Sequence, residues 1–110
     1  VSGLTTHILD LTAGRPAADV VVRLFPLGGD LLAEALTNAD GRARLADTLA
    51  PGGYRIEFEI GAHFRRTGAS AATPGFLECV ALEFHVVDPE AHHHVPLLAS
   101  PFGYSTYRGS

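Results

Sequence analysis

Apolar and polar side chains alternate along most of this chain, the period-two signature of half-buried β-strands. The cleanest run is Tyr54-Arg55-Ile56-Glu57-Phe58-Glu59-Ile60, with Tyr54, Ile56, Phe58 and Ile60 on one side and charged residues on the other. It predicts a strand with one face on a core and one in water. From Phe76 onward the alternation puts Val80, Leu82, Phe84 and Val86 on one face and Cys79, Ala81, Glu83, His85 and Val87 on the other. Leu4 to Leu11 alternates Leu4, Thr6 and Ile8 against Thr5, His7, Leu9 and Leu11, and ends at the turn signal Thr12-Ala13-Gly14-Arg15-Pro16, a first strand. Val20 to Phe25 is β-branched and short, closed by Pro26 and Gly28-Gly29, a second strand. Asp30 to Leu36 has helical propensity, but it is too short between turn signals to stand as an isolated helix, so a strand is expected. Asn38-Ala39-Asp40-Gly41 turns the chain and Arg42 opens a short strand through Leu45. A short helix has room only within Gly61 to Ala72, around His63-Phe64-Arg65-Arg66.

The stretch from His92 to Ser110 reads as two strands joined by a Ser100-Pro101-Phe102-Gly103 corner. Extended geometry places His92, His94, Pro96 and Leu98 on one side and His93, Val95 and Leu97 on the other. After the corner Gly103, Ser105 and Tyr107 share one side, and Phe102, Tyr104, Thr106 and Arg108 the other. A face that combines imidazole, hydroxyl and phenol groups is unusual material for a plain core. Seven or eight short strands with closely spaced turns predict an all-β sandwich.

Composition narrows the picture. The chain has 110 residues, which fits a single domain over 1–110 with a modest core. Hydrophobic residues make up 46% and charged residues 18%, a balance that excludes a disordered chain. The basic residues are arginines scattered along the sequence except for Arg65-Arg66, and the net charge is −4, so no nucleic-acid partner is expected. No apolar run approaches the ~20 residues of a membrane span, and no charged start leads into an apolar leader segment. A cytoplasmic protein without a membrane partner is therefore expected. Cys79 is the single cysteine, so no internal disulfide forms.

Two imidazoles and a guanidinium stand out as chemistry. Imidazole accepts a proton near neutral pH, and arginine offers a planar fork of donors to carbonyl and anionic oxygens. The motifs Leu4-Thr5-Thr6-His7-Ile8-Leu9-Asp10 with Gly14-Arg15-Pro16-Ala17, Thr37-Asn38-Ala39-Asp40-Gly41-Arg42, and His92-His93-His94-Val95-Pro96-Leu97-Leu98 with the ending Ser100-Pro101-Phe102-Gly103-Tyr104-Ser105-Thr106-Tyr107-Arg108-Gly109-Ser110 resemble those of the 5-hydroxyisourate hydrolases of the transthyretin-like family. The three motifs stand in the family's order and span essentially the whole chain.

The resemblance implies a transthyretin-like β-sandwich of two four-stranded sheets with one short helix between the fifth and sixth strands. It implies hydrolysis of 5-hydroxyisourate, a purine-derived small molecule of urate degradation, to 2-oxo-4-hydroxy-4-carboxy-5-ureidoimidazoline. No cofactor and no metal are implied. Carried onto this sequence, the catalytic residues are His7, Arg42, His94 and Ser110, and the substrate-binding residues are Arg42, Ser105, Tyr107 and Arg108. His7 and His94 would position and deprotonate the attacking water, with their division of labour open, and Arg42 would hold the substrate's oxygens. The family's homotetramer, a dimer of dimers, would enclose the site in the channel between facing sheets.

Other readings of the same residues lead elsewhere. His92 and His94 on one face, with His7 across the sheet, supply imidazoles for a zinc ion, but no cysteine or carboxylate spacing accompanies them. His63, His85 and His93 read as surface or satisfied histidines, and His63 stands where relatives commonly carry a tyrosine. A transthyretin-type carrier would bind a hydrophobic ligand without catalysis, but carriers replace the three polar motif residues and lose the Tyr-Arg-Gly-Ser end. A purely structural sandwich has no need of His7, Arg42 and Tyr107 together.

Overall fold

Two sheets close over the apolar faces that the alternation marks. The computed structural model describes residues 2–110. In chain order they form β1 (Gly3–Asp10), β2 (Arg15–Pro16), β3 (Val21–Pro26), β4 (Ala33–Leu36), β5 (Arg42–Ala46), β6 (Gly52–Phe58), α1 (Ile60–Thr67), β7 (Val80–Val86), β8 (His92–Ser100) and β9 (Gly103–Thr106). One sheet is β4-β3-β6-β7, antiparallel throughout. The other is organised around β1, which runs parallel to β8 from Gly3 beside His92 to Asp10 beside Ala99, while β8 turns back antiparallel into β9.

The far edge of β1 is shared between two short strands. β5 covers Leu4 to His7 and β2 covers Leu9 and Asp10. This sheet therefore contains five strands and yet spans no more than four at any level, which accommodates the expected pair of four-stranded sheets. The extra strand, Arg15–Pro16, lies in what the sequence presents as turn alone. Asp10 folds it back: its Oδ1 accepts the Thr12 and Ala13 N–H groups at 2.9 and 3.0 Å, and its carbonyl accepts the Gly14 N–H at 2.8 Å.

Leu4, Ile8, Leu45, Val95, Leu97 and Ala99 from one sheet meet Val22, Leu24, Ile56, Phe58, Val80 and Val86 from the other, all buried. Each of these side chains larger than Ala99 contributes about 1.5–3 kcal/mol by leaving water. The helix caps one end of this core with Ile60 and Phe64 and stops at Gly68, whose left-handed φ of 80° lets its N–H reach the Arg65 carbonyl.

Three boundaries differ from the sequence expectation. The strand expected from Phe76 begins only at Val80, because Glu78 is drawn to Arg65 at 2.6 and 2.8 Å and to the Gly75 N–H at 2.7 Å. That pairing holds the preceding segment against the helix. The strand expected over Asp30 to Leu36 is regular only from Ala33, leaving Leu31 and Leu32 about half exposed. Ile60, expected as the last inward residue of a strand, opens the helix and is buried there. His63 is the satisfied histidine foreseen: its Nε2 lies 2.8 Å from Asp10 Oδ2, with both side chains almost wholly buried.

Candidate active site

Pairing register brings three motifs onto one sheet face. In β1, Leu4, Thr6 and Ile8 are buried, so Thr5 and His7 must point away from the core. Thr6 reinforces this setting by donating its hydroxyl to the Val95 carbonyl at 2.7 Å. Across the β1–β5 ladder Arg42 stands opposite His7. Across the parallel β1–β8 ladder Thr5 stands opposite His94, and Pro96 opposite His7. Paired residues share a face, so His7, Arg42 and His94 occupy three neighbouring strands, β5, β1 and β8, on the same outer surface. His94 is offset by one same-face position from His7, a diagonal of roughly 7–8 Å between backbones.

The His94 ring is held from two sides. Its Nδ1 lies 2.8 Å from Thr5 Oγ1, and the same hydroxyl lies 2.9 Å from His92 Nε2. The two imidazoles stack with centroids 6.5 Å apart and planes 16° from parallel. From the other side comes the end of the chain. The Gly109 N–H donates to the His94 carbonyl at 2.8 Å, which seats the glycine so closely that a β-carbon there would lie 2.5 Å from His94 Cδ2. His94 is half-buried, and its pKa is pushed below the ordinary histidine value. Burial is the main cause, followed by the positive charge of Arg42 and the neighbouring His7 and His92. His94 is accordingly neutral at pH 7. His7 makes no ring hydrogen bond among the described residues, so its nitrogens are unengaged.

The remaining residues singled out in the sequence are placed as follows. Ser105 pairs with Leu98 and so lies on the His94 face, four residues further along β8, roughly 13 Å away. Tyr107 follows on that face and is 60% exposed. Ser110 is exposed immediately after Gly109, the residue that pairs with His94. Arg108 alternates to the other side, and its Nη2 is 3.5 Å from the His92 carbonyl. A single copy therefore does not bring Arg108 together with His7 and Arg42.

Two hollows border this surface. One, about 430 Å³, opens between β7 and the β8–β9 hairpin and is lined by Leu82, Phe84, His93, Val95, Tyr107 and Arg108, touching His94 from behind. The other, about 490 Å³, lies beside Arg42 with Thr5, Leu36, Asn38 and Arg44. Arg42 and His94 border different hollows, and the sheet face between them is open. Ligand sites are usually concave, so one copy offers the functional groups of a site without its far wall. Among the described residues no three His, Cys, Asp or Glu side chains cluster as a metal ion would need.

From the sequence, Gly109 stood out only as part of the Tyr-Arg-Gly-Ser ending and His92 only as a candidate zinc ligand, and Thr5 was not singled out as part of the site. The signal for Thr5 and His92 lay in the alternation, which puts both on the His7 and His94 faces. Nothing in the sequence alone announced that one hydroxyl would bridge two rings.

The chain matches the sequence pattern of the HIUase/Transthyretin family over residues 4–109. It is 55% identical to the 5-hydroxyisourate hydrolase of Caulobacter vibrioides, with all of both chains covered. The solved structure of Klebsiella pneumoniae 5-hydroxyisourate hydrolase superposes with a TM-score of 0.85 at 40% identity, covering 99% of this chain and 100% of that one. Sea bream transthyretin in complex with thyroxine superposes with the same TM-score of 0.85 at 29% identity, covering 97% of this chain and 94% of that one.

Proposed function

The chain belongs to the HIUase/Transthyretin family, and from that premise we infer that it is an enzyme that hydrolyses 5-hydroxyisourate in urate degradation. The observation that carries this reading is the convergence of His7, Arg42 and His94 on adjoining strands of one face, with the His94 ring fixed by Thr5 and Gly109. Hydrolysis of a cyclic amide needs a base for water, a donor to the oxygen on which negative charge develops, and a grip on a planar polar substrate. Two imidazoles supply the base and the donor. Arg42, exposed and unpaired with any carboxylate among the described residues, supplies the grip through its planar fork.

In this reading Tyr107 and Ser110 border the substrate from the segment after β9, and Ser105 binds it from further along the same face. Arg108 acts by tying that segment to the His92 carbonyl. The site is completed by assembly into a homotetramer. What supports this is the open sheet face that carries the three groups, together with β7 and β9, which among the described residues each end a sheet with one unpaired edge. Exposed strand edges pair readily with another copy, and two facing sheets would turn a flat surface into a channel.

The test is direct. 5-Hydroxyisourate is generated freshly from urate with urate oxidase and its ultraviolet decay is followed with and without the protein. Acceleration that disappears in His94→Ala and Arg42→Ala, while the oligomer measured by light scattering persists, is the expected result. Thyroxine binding without accelerated decay would replace the hydrolase with a carrier. A monomer at full activity would remove the tetramer from the account.

A further inference from the structure

Thr5 stands between two histidines with a single proton to give. Its Oγ1 is 2.8 Å from His94 Nδ1 and 2.9 Å from His92 Nε2. A hydroxyl carries one O–H donor and two acceptor lone pairs, and a neutral imidazole carries one N–H and one lone pair. The geometry therefore allows few arrangements, and the state of each ring depends on the other. The deciding atom is His92 Nδ1, which is buried and has no hydrogen-bond partner among the described residues.

If Thr5 donated to His92, the proton of His92 would sit on that buried Nδ1 as a donor without an acceptor. If Thr5 instead accepts from His92 Nε2–H, the buried Nδ1 keeps only a lone pair. Orphaned N–H groups are rarer inside proteins than under-used acceptors, and leaving a buried donor unmade costs its full desolvation. His92 thus donates to Thr5. The Thr5 proton then has one partner in reach, the lone pair of His94 Nδ1. If both rings donated to Thr5, its own O–H would have no acceptor among the described residues.

We propose that Thr5 is a positioning residue which, with His92 as its anchor, fixes His94 in the tautomer that carries its proton on Nε2. The inference deepens the hydrolase reading and rests on it for the chemistry. With Nδ1 occupied, His94 presents an N–H to the substrate and has no lone pair left to take a proton from water. His94 is then the donor to the carbonyl oxygen as its charge grows. His7, whose ring nitrogens are unengaged, is the base. The balance is complete with these two groups. His7 takes a proton from water, the oxygen adds to the carbonyl carbon while His94 Nε2–H bonds to the oxyanion, and the ring C–N bond breaks as the His7 imidazolium returns the proton to the departing nitrogen.

The experiment separates this from the reading beneath it. In protein labelled with ¹⁵N-histidine, long-range ¹H–¹⁵N correlations at pH 8 report which nitrogen of each ring is protonated, without substrate. Both His92 and His94 are expected to carry their proton on Nε2. In Thr5→Val, which keeps the β-branched shape, the His94 signals are expected to move to a tautomeric mixture. The value of kcat should fall about 10- to 100-fold, as for other partners that orient a functional histidine, with KM nearly unchanged. Thr5→Ser should restore both. A wild-type His94 protonated on Nδ1 overturns the proposal whether or not the variants fold. So does a Thr5→Val protein that keeps both the tautomer and the kcat of the parent. Failure of the wild type to accelerate 5-hydroxyisourate decay would sink the hydrolase reading alone, since the tautomer is measured independently.

Discussion

Replacing Gly109 by alanine adds one methyl group at the point where the chain end meets the His94 ring. The backbone there is not in the left-handed region, so alanine brings no torsional strain and the test is purely steric. The new carbon would lie 2.5 Å from His94 Cδ2, where ordinary contacts begin at 3.4 Å, so a displacement of about 0.9 Å is required. Rotating His94 breaks its 2.8 Å contact with Thr5, and lifting the terminal segment breaks the 2.8 Å bond from Gly109 N–H to the His94 carbonyl. Neither motion leaves His94 and Ser110 in register. Misplacement of about 1 Å in an active site costs about 100-fold in rate, equivalent to about 2.7 kcal/mol of transition-state stabilisation.

Stability should change far less, because at most one terminal hydrogen bond is lost, worth about 0.5–1.5 kcal/mol. The decay of freshly made 5-hydroxyisourate gives kcat, and urea unfolding of the same preparation gives stability. A Gly109→Ala enzyme within threefold of the parent kcat would refute the claim that the chain end clamps the histidine. A kcat that falls only in proportion to unfolded protein would refute it equally.

Three further outcomes follow from other contacts. Arg42→Gln removes one of the positive charges that, after burial, hold the His94 pKa down, so the His94 titration followed by NMR should move up toward the ordinary histidine value; an unchanged or lower value contradicts the proximity of the two groups. Glu78 is held at a pKa of about 2, first by the Arg65 hydrogen bonds and then by the Gly75 N–H. In the window between its ordinary value of 4.5 and about 2 the unfolded chain binds the proton more readily, so stability is present above pH 4.5 and lost as pH falls through that window; Glu78→Gln should flatten this loss in urea unfolding curves, and a parallel acid limb in both proteins would argue against it. His63→Phe leaves the buried Asp10 Oδ2 without the ring nitrogen now 2.8 Å away and should destabilise by about 1–3 kcal/mol, read from the urea midpoint, whereas His63→Tyr, which keeps a donor, should lose less.

How far the sequence could be read depended on the physical range of each signal. Alternation is a local property and holds within the strands that form: Tyr54, Ile56 and Phe58 are inward, and Val80 and Val86 are buried while Ala81, Glu83 and His85 are exposed. Turn chemistry placed the Asn38 to Gly41 reversal and the corner before Gly103. Strand ends were missed where a distant side chain decides them. Glu78 leaves the alternating pattern because Arg65, on the helix, captures it, and Arg15–Pro16 becomes a strand because Asp10 ties the intervening turn.

The candidate site divides along the same line. That His94 faces outward follows from period two, and that Thr5 and His7 share a face follows from it as well. Which strands lie side by side does not, because β1 takes β8 as its parallel neighbour across most of the chain and no local rule selects that partner. Once the pairing is set, register does the rest: sliding β8 by one residue against β1 would exchange His94 for His93, which the observed register buries and satisfies at the Ala91 carbonyl. Such a slip would also bring Val95 and Leu97 out of the core and turn Pro96 and Leu98 into it. The apolar residues that hold the sandwich together are thus the same ones that aim the imidazole. The aim of His94 is set by the burial of Val95 and Leu97, and its proton by a threonine on the neighbouring strand.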